Sequence, residues 1–122
     1  MGIPGLRAAL KVRVKETPKQ LEFRAWCKAH RLPPGLTVEF RFDPVRRWRM
    51  DFAWPDRLVA VEVHGAVFRG GRHVRGNGFL NDREKMNTAL CRGWRVLEVG
   101  TPGKHPATLY SPAMLAWCKA VL

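Results

Sequence analysis

The sequence predicts an α/β domain with a mixed central sheet flanked by helices. Three observations carry that reading. A capped helix signal opens at Thr17, three strand-like segments follow between Leu36 and His64, and helix, strand and helix signals return after a glycine-rich stretch. With 122 residues and 46% hydrophobic content, the chain is long enough for one core, and its composition excludes disorder.

Residues 1–16 carry Arg7, Lys11, Arg13 and Lys15 without a sustained hydrophobic period, so they read as a basic arm or, equally, as a solvated tail. At Thr17-Pro18-Lys19-Gln20 the cap, the first-turn proline and the capping-box residue are all in place. This helix runs to about His30, and Pro33-Pro34-Gly35 stops it. Leu21, Ala25, Trp26 and Ala29 form its apolar face, and Glu22 falls on the same face. An acid there is either a boundary residue paired with Arg or Lys, or a carboxylate directed at a site.

Leu36 to Phe42 alternates, with Leu36, Val38, Phe40 and Phe42 to one side, which predicts a half-buried strand. Asp43-Pro44 ends it. Arg46-Arg47-Trp48-Arg49 then leads into a hairpin: Arg49 to Trp54, a turn at Pro55-Asp56, and the nearly continuous apolar run Leu58 to Val63. Residues 65–78 interleave glycines with Arg69, Arg72, His73 and Arg75, either a solvated loop or a phosphate-binding one. No Gly-Lys-Ser/Thr follows, which excludes a nucleotide-binding P-loop.

Phe79 to Arg92 reads as a helix closed by Gly93. Phe79, Met86, Ala89 and Leu90 share a face, Asp82 falls within that arc, and Lys85 sits at its border, three residues from Asp82 and within pairing reach. Trp94 to Val99 is a further strand. Ser111-Pro112 opens a last helix with Met114, Leu115, Trp117, Cys118, Val121 and Leu122 on one side, a surface for a dimer or for the protein's own sheet. Cys27, Cys91 and Cys118 share no metal or redox spacing and read as buried free thiols.

Two acids stand inside the apolar hairpin, Asp51 and Glu62. Burying a carboxylate without a cation or hydrogen bonds is costly. A two-residue loop, or a four-residue loop spanning Trp54 to Arg57, places Asp51 opposite Ala60, with Glu62 one diagonal away at about 7–8 Å. Both acids then share a face and can approach one Mg²⁺. A three-residue loop would send them to opposite faces.

The net charge of +12 predicts a polyanionic partner, and nucleic acid fits best. Arg46 and Arg47 before the hairpin, Arg69, Arg72, His73 and Arg75 in the loop, and Lys11 and Arg13 in the arm are the candidate contacts. No run of about 18 apolar residues exists, so a membrane span is not expected. Met1-Gly2 lacks the Ser or Thr at position 6 that myristoylation needs, and the first residues lack a secretory apolar core, so a cytoplasmic setting is expected.

The element order, with Asp51 on the second strand and Glu62-Val63-His64 ending the third, resembles the PD-(D/E)XK nuclease superfamily over roughly residues 17–100. On this reading residues 1–122 are one nuclease domain, with an arm at 1–16 and a C-terminal loop and helix at 101–122. Asp51-Phe52, Trp54-Pro55, Glu62-Val63-His64-Gly65, Gly71-Arg72-His73, Gly78-Phe79, Asp82-Arg83-Glu84-Lys85 and Gly93-Trp94-Arg95-Val96-Leu97 look like small phage and bacterial structure-selective endonucleases. These include Holliday junction resolvases of the archaeal type and relatives of the very-short-patch repair enzymes. The resemblance implies a restriction-endonuclease-like αβββαβ core and a homodimer acting on branched double-stranded DNA in a bacterial or phage-infected cytoplasm. It also implies Mg²⁺, with Mn²⁺ as a substitute, held by Asp51, Glu62, the Val63 carbonyl and Glu22.

The chain departs from the family at two positions. His64 stands where the family's lysine belongs, and Met50 replaces the proline before the first acid. Lys85, supported by Asp82, is the expected replacement cation, and His64 the residue that positions the attacking water. A mismatch or nicking enzyme of the same fold, and a non-catalytic nucleic-acid-binding module, are the alternatives.

Overall fold

A computed structural model describes residues 15–65, 77–102 and 107–122. The arm residues Lys11 and Arg13 and the loop residues Arg69, Arg72, His73 and Arg75 lie outside these. Helix α1 (Pro18–Ala29) precedes strands β1 (Thr37–Arg41), β2 (Arg49–Trp54) and β3 (Val59–His64). Helix α2 (Asn77–Cys91), strand β4 (Arg95–Gly100) and helix α3 (Pro112–Val121) follow. The sheet order is β1-β2-β3-β4, antiparallel except for the parallel pair β3–β4, so the predicted mixed α/β sheet is present. No helix among the described residues is long and apolar enough to cross a membrane.

The helix boundaries follow local chemistry. Thr17 and Gln20 form the capping box reciprocally, and Ser111 caps α3 by accepting from the Met114 N–H at 3.0 Å. At the end of α2, Trp94 donates to the Ala89 carbonyl and Gly93 to Leu90, both at 3.0 Å. That is the double bond of a Schellman stop, with Gly93 at φ +87°.

The sheet is covered on both faces. Phe23 and Cys27 of α1 and Met114 and Cys118 of α3 pack with Phe52, Trp54, Val59, Val61, Val63 and Val99. The Phe23 and Phe52 rings stack at 3.7 Å, so Phe23→Ala would cost about 3–5 kcal/mol. On the other face Ala89 of α2 packs with Met50, Ala53, Ala60 and Trp94. Strand β3 is buried on both faces, which is why its sequence shows no alternation.

Several expectations change. On α1 the buried residues are Phe23 and Cys27, with Trp26 partly buried; Leu21 is 53% exposed, and Glu22, Ala25 and Ala29 face outward too. Aromatic stacking on β2 sets that rotation, not the count of apolar side chains. Leu36 and Val38 pack against the first core, but Phe40 and Phe42 pack against the second. Glu39 lies between them at φ +50°, and a left-handed residue breaks the two-residue alternation of a strand.

Strand β2 turns over at the same level: Phe52, paired with Val38, faces the first core, and Met50, paired with Phe40, faces the second. On α2, Leu90 is 70% exposed while Lys85 and Ala89 are buried. Met114 and Cys118 of α3 are spent on the protein's own sheet, which withdraws them from any dimer surface. Cys27 and Cys118 are buried free thiols, but Cys91 is exposed.

Candidate active site

Parity survives in the hairpin, but the register does not. Trp54 pairs with Val59 and Phe52 with Val61, so the loop is Pro55–Leu58, closed by a 3-10 turn and by Leu58 at φ +52°. This shifts the pairing by two residues from the predicted one. By the same count Asp51 falls opposite Glu62 rather than Ala60. A shift of two preserves the face on which each side chain lies.

At this level side chains take over from the backbone ladder. The Asp51 N–H donates to Glu62 Oε2 at 2.7 Å, and the Val63 N–H donates to Asp51 Oδ2 at 2.8 Å. Each carboxylate thus receives a backbone amide from the opposite strand. Glu62 is 1% exposed, and its pKa is raised, first by burial and then by the Asp51 charge, against the opposing pull of Lys85.

Lys85 supplies the cation. Its Nζ donates to Glu62 Oε1, and the residue is only 9% exposed. Asp82 does not hold Lys85, as the spacing predicted, but pairs with Arg83 at 2.6 Å. The reason is tertiary: α2 crosses the second face of the sheet, so Lys85 points at β3 while Asp82 is left beside the guanidinium next to it.

His64 shares the parity of Glu62 on β3, and its Nε2 lies 2.9 Å from Glu98 Oε1 of β4. Glu98 is the Cα partner of Glu62 in the parallel pair, so it comes to the same face. Sequence reasoning missed Glu98. The available signal was an acid inside an otherwise apolar strand, the same signal that singled out Asp51 and Glu62. Gly65 closes β3 at φ +150°, and a Cβ there would stand 1.8 Å from Thr101 Oγ1. The strand end therefore admits glycine only.

Glu22 does not join this group. It is exposed on α1, and its recorded influence is on Tyr110, whose pKa is raised by burial first and by the Glu22 charge second. Among the described residues no three His, Cys, Asp or Glu side chains stand at metal-binding spacing. Asp51 and Glu62 remain as a pair. Two carboxylates whose like charges oppose each other suit Mg²⁺, which is commonly held by one or two carboxylates plus water and substrate phosphate.

Of the two described candidate DNA contacts, Arg46 is engaged within the protein. It bonds Asn81 at 3.0 Å and Glu84 at 3.4 Å and lies 4.2 Å over the Trp48 ring. Arg47 is exposed.

No family model, curated protein or solved structure matches this chain.

Proposed function

We propose that this protein is a metal-dependent DNA endonuclease of the PD-(D/E)XK kind, acting on four-way junctions as a homodimeric resolvase. The observation that carries the reading is the ammonium of Lys85 seated on Glu62 beside Asp51. The sequence lacks the family's lysine two residues after the second acid, yet a lysine from the next helix reaches the same carboxylate. The +12 charge supplies attraction for a polyanion.

In this mechanism Asp51, Glu62 and the Val63 carbonyl hold Mg²⁺. When bound, the metal lowers the pKa of a water and neutralises phosphate charge. The chain's own contributions are fixed in advance. Lys85 is held in a dry position by Glu62, where its charge stabilises the developing negative charge on phosphorus. The backbone amides of Asp51 and Val63 hold the two carboxylates in place, so little reorganisation is needed. His64, at the rim of the same face, positions the attacking water. By the family resemblance the products carry 5′-phosphates.

One observation favours a non-catalytic nucleic-acid-binding module instead: both carboxylates already have partners inside the protein, as purely structural acids would. Cleavage of a synthetic four-way junction beside its linear duplex, with and without Mg²⁺, decides. Metal-dependent cutting of the junction supports the resolvase. Equal cutting of both substrates assigns a different endonuclease, and no cutting with retained binding assigns the binding module.

A further inference from the structure

Resting on that nuclease reading, we infer that Glu98 is a positioning residue that fixes the tautomer of His64 and leaves its Nδ1 as the acceptor for the attacking water. The argument begins with the 2.9 Å contact between His64 Nε2 and Glu98 Oε1. An ionised carboxylate only accepts hydrogen bonds, so the ring proton must sit on Nε2. In the neutral ring Nδ1 is then a bare lone pair. Among the described residues Nδ1 has no recorded partner, so its acceptor capacity faces outward from the protein.

The fold holds both ends of this pair. His64 and Glu98 come from adjacent parallel strands, and the backbone near His64 is pinned by the Thr101 N–H, which donates to the His64 carbonyl at 2.9 Å. Glu98 also acts on Arg83, whose pKa is raised by Asp82 first and by Glu98 as a lesser influence. The carboxylate thus stands between an imidazole and a guanidinium. The pair shares the sheet face of Glu62, and both side chains are open to solvent, 41% and 44% exposed. An exposed pair of this kind contributes little to stability, which leaves orientation as its role.

The chemical step balances on this chain's own atoms. The water oxygen bonds to phosphorus while its proton passes to His64 Nδ1, and the imidazolium formed is held against the Glu98 carboxylate. The P–O3′ bond breaks, and its oxygen takes a proton from solvent.

The test joins a spectroscopic readout with kinetics. ¹⁵N NMR of the histidine rings at pH 8 should show His64 protonated on Nε2, and Glu98→Ala should abolish that preference. With the junction as substrate, Glu98→Ala should lower kcat roughly 10- to 100-fold at unchanged KM, and His64→Ala roughly 100-fold or more. The double variant should be no slower than His64→Ala alone, because the two residues act as one unit. Glu98→Asp should recover part of the loss. Melting temperatures should stay near wild type, separating orientation from folding. A proton on Nδ1, or a tautomer indifferent to Glu98→Ala, overturns the inference. So does a wild-type kcat in both single variants. A wild type that shows the Nε2–H form but cuts no DNA instead overturns the nuclease reading, and the water-holding role with it.

Discussion

Removing the Lys85 ammonium by Lys85→Met should damage both stability and cleavage, and a second substitution should separate the two. Lys85 and Glu62 are 9% and 1% exposed, so this is not the surface pair the sequence suggested between Lys85 and Asp82. An exposed helix pair is worth about 0.2–0.5 kcal/mol. Breaking a buried pair typically costs about 3–5 kcal/mol, because it strands a buried charge. Glu62 keeps the Asp51 N–H and can take up a proton, so the lower end, about 3 kcal/mol, is expected.

For a domain of this size that corresponds to a fall in Tm of roughly 10 °C. Glu62→Gln added to Lys85→Met removes the stranded charge and should restore most of the loss. Cleavage should not return, since the double variant lacks both a carboxylate and the ammonium. Differential scanning calorimetry of the four proteins, with junction cleavage at saturating DNA, makes the comparison. A Lys85→Met protein that melts within about 1 °C of wild type would refute the buried pair.

Asp51→Asn should abolish Mg²⁺-dependent cutting while junction binding persists, and that binding should weaken by about 10³-fold or more between 50 and 200 mM salt; a flat salt response in a filter-binding titration would remove the phosphate-contact premise. Gly65→Ala should destabilise the end of β3, by about 2–4 kcal/mol in urea unfolding, because its Cβ would meet Thr101 Oγ1 at 1.8 Å in a backbone region reserved for glycine. Asp43 is held below the ordinary carboxylate range, chiefly by the Arg46 N–H, with the Val45 N–H and Arg92 adding to it against the opposing effect of burial. A depressed carboxyl gives stability that is complete above about pH 3.9 and lost as pH falls through its lower folded value. The Tm gap between wild type and Asp43→Asn should therefore close as pH drops below about 3, and a gap constant with pH would contradict this.

The chain's local chemistry determined the helix starts and stops and the existence of each strand. A capping box at Thr17 and Gln20, a Schellman glycine at Gly93 and a continuous apolar run at Val59 to Val63 act within a few residues, so they are legible in order along the chain. The prominence of Asp51, Glu62 and Lys85 was legible for a related reason. Charges inside apolar segments need compensation whatever the fold.

Only the tertiary structure decided who compensates whom. A hairpin's register depends on loop conformation, and Leu58 in the left-handed region moved the pairing by two residues, bringing Asp51 opposite Glu62. Alternation along β1 failed at Glu39 for the same kind of reason, a single positive φ that periodicity cannot see. The choice of Glu62 over Asp82 as the partner of Lys85, and the arrival of Glu98 beside His64, follow from how α2 and β4 return to the sheet. Contacts between residues more than 20 positions apart depend on that return path, and no local pattern encodes them.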